Sequence, residues 1–247
     1  MTKTKLETFI KKYSLNGTLD EVRWNNTNNT LNVVEMTADK KFMASVEMRD
    51  FKDFGDIEFV VPNTSGLKAK LAALSDDVKI SLNTDEDNPE RVISLKVEDD
   101  RNELIYQTGD ADHLPKKPKL ANIPTYDVEI KLTERFINDF TKAKSGFNDV
   151  NLFTLIMSKK KKKLEMVLGY SSINTDRIAL GLDTVEGKDT IKEPASFSAE
   201  ILKNILAANS EVKDPILKVT EQGLAHVEFS TPEFNAKYYL IKIPVED

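Results

Sequence analysis

Two stretches of this chain recur, in the same order, about half a chain later. LETFIKKYS at 6–14 lines up with TERFINDFT at 133–141, and GLKAKLAALSDDVKISL at 66–82 with AEILKNILAANSEVKDPILKV at 199–219. The offsets, near 127 and 134 in a chain of 247 residues, make an internal duplication the natural reading. Each half is long enough to bury its own core. The alternative is two unrelated α+β domains whose short matches coincide.

The repeated stretches are amphipathic helices, each followed by strands. Spacing predicts a helix over 2–13 with Leu6, Phe9, Ile10 and Tyr13 inward and Lys5, Thr8, Lys11 and Lys12 opposite. A second, over 64–74, puts Leu67, Leu71 and Leu74 inward, with Lys68 and Lys70 flanking a face of alanines. The third starts at Thr133, with Phe136, Ile137 and Phe140 on one face and Arg135, Asn138 and Lys142 on the other. The fourth follows a Ser198 N-cap; Ile201, Leu202, Ile205 and Leu206 form its stripe, and Ala199, Lys203, Asn204 and Ala207 lie opposite. A helix facing bulk solvent usually mixes both signs of charge, whereas these outward faces favour cations.

Alternating runs at 19–25, 30–37, 41–50 and 56–62 read as a meander, and further strands are expected near 78–83, 91–97 and 102–108. The segment 109–125, GDADHLPKKPKLANIPT, has three prolines and no periodicity, so it reads as a connector. Strand, helix and hairpin then begin again at 127–132, with a lysine run at 159–163 between strands near 150–158 and 163–171. The expected organisation is an N-terminal domain over 1–110, a connector over 111–125 and a C-terminal domain over 126–247.

Several functions are disfavoured. With no cysteine and only His113 and His226, neither a disulfide framework nor a thiolate or histidine-rich metal site is available. The segment 181–189, GLDTVEGKD, has five residues between its glycines and Asp where a phosphate loop needs Ser or Thr, so it reads as a turn. The run 85–90, DEDNPE, puts Pro89 inside what would be a calcium loop and reads as a hairpin tip. No activated nucleophile motif appears, and the reading is a non-enzyme with no cofactor and no metal. The start of the chain carries no apolar leader and no run long enough to span a membrane, which makes the cytoplasm the expected address. Four sequons, at Asn16, Asn25, Asn28 and Asn63, are read as turns, and the 159–163 run as a solvated hairpin connection with no aromatic to stack bases. A net charge of −6 argues against a protein that coats nucleic acid indiscriminately, but not against one that gathers its cations on one surface.

The helix and strand echoes, the proline-containing connector and the terminal KYYLIKIP together resemble the sliding-clamp family of DNA polymerase processivity factors. The terminal run is similar to the Tyr-Tyr-Leu strand that ends clamps of the proliferating-cell-nuclear-antigen (PCNA) type, and LKAKLAALSDDVKISL looks still more like the clamps of tailed phages. The resemblance implies an α+β DNA-clamp fold of two repeated domains, each with two helices packed on antiparallel sheets, closing as a homotrimeric ring. It implies double-stranded DNA, a DNA polymerase and a clamp loader as partners, with the host cytoplasm as the address if phage-encoded. Cations facing a hole balance phosphate charge without fixing a base register, so such a ring slides.

Carried onto this chain, the DNA-facing residues would be Lys5, Lys11, Lys12, Lys68, Lys70, Arg135, Lys142 and Lys203. A partner-peptide groove would use Leu114, Leu120, Ile123, Ile241, Ile243 and Pro244, and a subunit interface Leu104, Tyr106, Ile178 and Leu180. Two features depart from the family pattern: the first domain has no room for a strand before its first helix, and the C-terminus reads IKIPVED, with its proline later than in cellular clamps. The competing reading is an acidic two-domain scaffold whose repeat serves protein contacts without encircling DNA.

Overall fold

The computed structural model describes residues 2–109, 114–115, 117–118, 125–158, 160, 162–171 and 176–244. The chain divides into two compact units. The first comprises Met1–Thr37, Ala44–Lys119 and Ser230–Ala236, the second Ala38–Met43, Leu120–Phe229 and Lys237–Asp247.

The first unit opens with α1 (Lys3–Ser14), capped by the Thr2 hydroxyl, which accepts from the Lys5 N–H. Strands β1 (Val22–Thr27), β2 (Thr30–Met36), β3 (Phe42–Met48) and β4 (Ile57–Val61) follow, in the sheet order β3-β2-β1-β4. Next come α2 (Thr64–Leu71) and an antiparallel meander of β5 (Lys79–Thr84), β6 (Val92–Glu98) and β7 (Glu103–Gln107). The second unit runs β8 (Val128–Lys131), α3 (Glu134–Gly146), β9 (Leu152–Met157), β10 (Leu164–Leu168), β11 (Ile178–Gly181), β12 (Asp183–Asp189) and β13 (Ala195–Ser198). It ends with α4 (Ala199–Ala208), β14 (Ile216–Val219), β15 (Leu224–Ser230) and β16 (Phe234–Ile241). Its sheets are ordered β11-β10-β9-β13 and β12-β8-β14-β15-β16.

The duplication is written in this topology. In each unit the strand after the first helix sits between its hairpin partner and the strand that precedes the second helix: β1 between β2 and β4, β9 between β10 and β13. Each second helix leads into a three-strand meander. β8 pairs with β14 in the second unit; in the first, Thr2 makes a single bridge to Asp77 just ahead of β5, and the Lys3 N–H donates to the Asp76 carbonyl at 2.7 Å. One bridged residue, Thr2, thus holds the place in the first unit that β8 holds in the second.

The cores repeat as well. Phe9 and Tyr13 of α1 pack edge-on against Trp24 of β1, with Phe9 and Trp24 centroids 5.7 Å apart; Phe140 of α3 packs edge-on against Phe153 of β9 at 6.3 Å. Tyr13 and Phe140 are 127 residues apart, the offset of the sequence repeat. The Trp24 indole donates to the Tyr13 hydroxyl at 3.1 Å, and that hydroxyl lies 3.4 Å from the Thr64 hydroxyl at the start of α2, so a buried polar chain joins both helices to the sheet. Burial drives the Tyr13 phenol far above its ordinary range.

Some expectations need correction. Residues 183–189 form β12, an edge strand beside β8, and not a turn; Gly187, at φ 73°, sits where the register shifts. β13 immediately precedes α4 and was not anticipated, because ASFS offers only one large apolar residue. Ala199 is fully buried, since its N–H donates to the Asn151 carbonyl and holds the first turn of α4 against the start of β9. Asn16 and Asn28 do take left-handed turn conformations, but Asn25 lies in β1 and Asn63 caps α2 by accepting from the Gly66 N–H. Among the described residues, no helix is long and apolar enough to cross a membrane.

Candidate nucleic-acid and partner surfaces

In the first unit, Lys11 lies exposed in the last turn of α1, and Lys68 and Lys70 are exposed on α2, a helix with no acidic residue. The Lys70 ammonium sits 5.7 Å from the Tyr106 ring centroid. Lys5 is mostly covered and pairs with Glu233 at 3.4 Å. Lys12 is only 1% exposed, so it leaves the outward set: its stem is buried and its ammonium lies 5.5 Å from the Phe234 ring centroid. Lys11 and Lys12 also face the negative end of the α1 dipole, a local reason for cations there that needs no ligand.

In the second unit, Arg135 and Lys142 are exposed on α3, and Lys203 is partly covered on α4. Two of these face carboxylates on their own helices: Arg135 pairs with Asp139 at 3.8 Å and Lys203 approaches Glu200 at 3.9 Å. Lys144, absent from the expected set, is 4% exposed, pairs with Glu200 at 3.6 Å and donates to the Phe147 and Asn148 carbonyls that end α3. Of the expected set, the exposed cations are therefore Lys11, Lys68 and Lys70 in one unit and Lys142, with the paired Arg135, in the other.

Of the expected partner groove, Leu120 and Ile123 lie outside the described residues. The described part of the connector is held on the first unit: the Arg23 guanidinium donates to the Pro115 carbonyl at 3.3 Å and pairs with Glu58 at 3.2 Å, and Lys117 pairs with the same Glu58. Leu114 is half-buried. In the second unit Ile241 is exposed, while Ile243 is tied down by its N–H to the Ser196 carbonyl at 2.8 Å. The preceding Lys242 N–H donates to the carbonyl of Gly223, which has φ 89° and where a Cβ would come within 2.5 Å of the Lys242 side chain. Pro244 is exposed.

Beside this C-terminal strand lies a cluster that sequence reading missed. His226 stacks on Tyr239 at 4.5 Å and 9°, and on Tyr126 at 5.8 Å and 20°, with the Tyr126 hydroxyl 3.0 Å from His226 Nδ1. Burial pushes the imidazole down to about 4; Glu228 opposes this, and Lys218 and Lys237 reinforce it. Burial likewise raises the Tyr239 phenol to about 12. His226 and Tyr239 lie on successive strands, Tyr126 about a hundred residues earlier, and only the Tyr-Tyr pair near the C-terminus hinted at them.

Two sheet edges complete the inventory. β7 pairs only with β6 and β11 only with β10 among the described residues. Tyr106 turns into its own unit, where its hydroxyl donates to the Asn63 carbonyl at 2.7 Å and accepts from the Asn63 N–H at 3.0 Å. Leu104 is half-buried, and Ile105, on the other face of β7, is 50% exposed. On β11, Leu180 is buried and Ile178 half-buried. Among the described residues, no group of three or more His, Asp or Glu could hold a metal ion.

This two-unit arrangement is the DNA-clamp fold. The structure of PCNA from Entamoeba histolytica superposes with a TM-score of 0.71 at 15% identity, covering 98% of this chain and 96% of that one. A PCNA2–PCNA3 complex from Sulfolobus tokodaii gives 0.68 at 13% identity over 98% and 97% of the two chains. A. fulgidus PCNA bound to the C-terminal region of FEN-1 gives 0.69 at 13% identity over 100% and 98%. No family model matches the sequence, and no curated protein matches it by sequence. The resemblance to sliding clamps read from the sequence therefore holds at the level of the fold.

Proposed function

We propose that this protein is a DNA polymerase processivity factor, a homotrimeric sliding clamp that encircles duplex DNA and tethers a polymerase after a clamp loader has placed it. The observation that carries the reading is the clamp fold, matched over nearly the whole chain. The exposed Lys11, Lys68, Lys70 and Lys142 support it, being long cations on helices and suited to phosphates in any register. The reading is non-enzymatic: these surfaces hold and do not transform.

In this reading the β7 edge of one copy pairs with the β11 edge of the next, since open edges are normally paired or protected. In the same reading the chain comprises a domain over 1–110, a connector over 111–125 and a domain over 126–247, and Leu114, Leu120, Ile123, Ile241, Ile243 and Pro244 are the residues proposed to take up partner peptides. The FEN-1 segment on A. fulgidus PCNA supports peptide binding of this kind, and the Tyr126–His226–Tyr239 stack gives the second unit a firm aromatic surface near its C-terminal strand. Light scattering tests the assembly: a mass of about 84 kDa, three times 27.9 kDa, is expected, and a monomer at micromolar concentration would overturn the ring.

A further inference from the structure

We propose that the tip of the β9–β10 hairpin is a second contact for the phosphate backbone of duplex DNA, supplying cations that the helices of the second unit lack. The inference rests on the proposed clamp function. On α3 and α4, Arg135 faces Asp139, and Lys203 and Lys144 share Glu200. Lys142 is left as the exposed helix cation of that unit without a carboxylate within ion-pair distance among the described residues, against Lys11, Lys68 and Lys70 in the first unit. The hairpin carries the missing charge: Lys160, Lys162 and Lys163 are all exposed. Lys159 and Lys161 lie outside the described residues.

The described residues of this tip are tied by backbone hydrogen bonds. The Ser158 N–H donates to the Lys163 carbonyl at 2.9 Å and the Lys162 N–H to the Ser158 carbonyl at 2.8 Å, with Lys162 in the left-handed region at φ 53°. Leu164 pairs with Met157 directly behind the turn, and every residue of β10 is buried, so Lys162 and Lys163 join directly to a buried strand. The tip also sits beside the start of α3, because Lys163 and Arg135 line one cavity of about 330 Å3. Asp139, Glu165 and Asp183 line the same cavity and would repel a small anion from it. The ligand chemistry that fits is therefore an extended polyanion lying across the rim from the tip to Arg135 and Lys142. With no aromatic residue at the tip, phosphates and not bases are read.

Binding of a fluorescent duplex of about 30 base pairs to the full chain, followed from about 50 to 200 mM salt, tests this. Each phosphate contact contributes about 0.9 to the slope of log affinity against log salt, or about 3.5-fold in affinity over that fourfold range. A triple variant, Lys160→Gln with Lys162→Gln and Lys163→Gln, should lower the slope by at least about 0.9 and by up to about 2.7, the latter equivalent to about 40-fold. A parallel variant, Lys11→Gln with Lys68→Gln and Lys70→Gln, probes the helices. If both variants lower the slope, the inference stands on the clamp reading; if only the tip variant does, the tip contact stands and the helix assignment falls. A tip variant with the wild-type slope overturns the inference, including the case in which the tip instead serves an acidic protein. In that case a lowered helix-variant slope would leave the clamp reading intact, whereas an unchanged one would remove it too.

Discussion

Arg23 is expected to clasp the connector to the first unit, and replacing it should release that segment before it unfolds the protein. The side chain is 7% exposed, between a carboxylate, Glu58, and a connector carbonyl, Pro115. Arg23→Met keeps the apolar stem and the backbone N–H that donates to Glu35 at 3.2 Å, so the loss is confined to the guanidinium contacts. Glu58 would not be orphaned, because Lys117 and the Asn25 amide, at 2.7 Å, remain on it. The cost is therefore that of charge-assisted hydrogen bonds and not of a buried unpaired ion, about 2 kcal/mol. If opening of the connector bears that cost, its open population rises about 30-fold. Cleavage within 109–125 by a dilute protease, which tracks the open population, should accelerate by that factor. Unchanged cleavage alongside a lowered urea midpoint would show that Arg23 braces the sheet alone, and the clasp would be refuted.

Replacing Lys11, Lys68, Lys70 and Lys142 by glutamine should reduce processivity in a primer-extension assay while lowering the thermal midpoint by no more than about 5 °C, since all four are exposed and three lose only a screened interaction with a helix C-terminus; normal processivity would refute the helix assignment. His226, held at about 4 against an ordinary 6.5, is kept neutral by burial, so its contribution to stability is present above pH 6.5 and is lost as pH falls towards 4. Allowing for solvent screening, His226→Phe should remove about 2 kcal/mol of that acid sensitivity, read as the change in urea midpoint between the two pH values; an unaltered acid limb would refute it. Glu35 has the opposite sign: burial raises its carboxyl above 4.5 against the pull of the Arg23 N–H and charge, so its contribution is present at low pH and is lost as pH rises through the raised value. Glu35→Gln should therefore match the wild type at pH about 4 and exceed it at pH about 7, and equal stability at both would contradict the desolvation argument.

The parts of this fold that were legible in the sequence are those fixed by local periodicity. Leu6, Phe9, Ile10 and Tyr13 are fully buried because a stripe at helical spacing has one place to go, and the repeat transferred the same logic to Phe136 and Phe140. Strands with little apolar content escaped: β12 has Val185 as its one apolar side chain, and pairing with β8, not patterning, makes it a strand. The outward helix faces were half legible. A wheel places Lys12 beside Lys11, but the ring that covers it belongs to Phe234, more than two hundred residues away. Lys144 and Glu200, Arg23 and Pro115, and Tyr126 with His226 are also long-range, and nothing in the neighbouring sequence of any of them announces its partner. Charge neutralisation within α3 was open to inspection, because Arg135 and Asp139 are one helical turn apart.

In the proposed clamp function the grip on DNA is topological. Loaded by its cognate loader onto a nicked circular duplex, the protein should remain bound in about 1 M salt, where phosphate contacts are screened, and should be lost within minutes once a restriction enzyme linearises the circle. Release by salt from the intact circle, or retention after linearisation with free ends, would contradict the account.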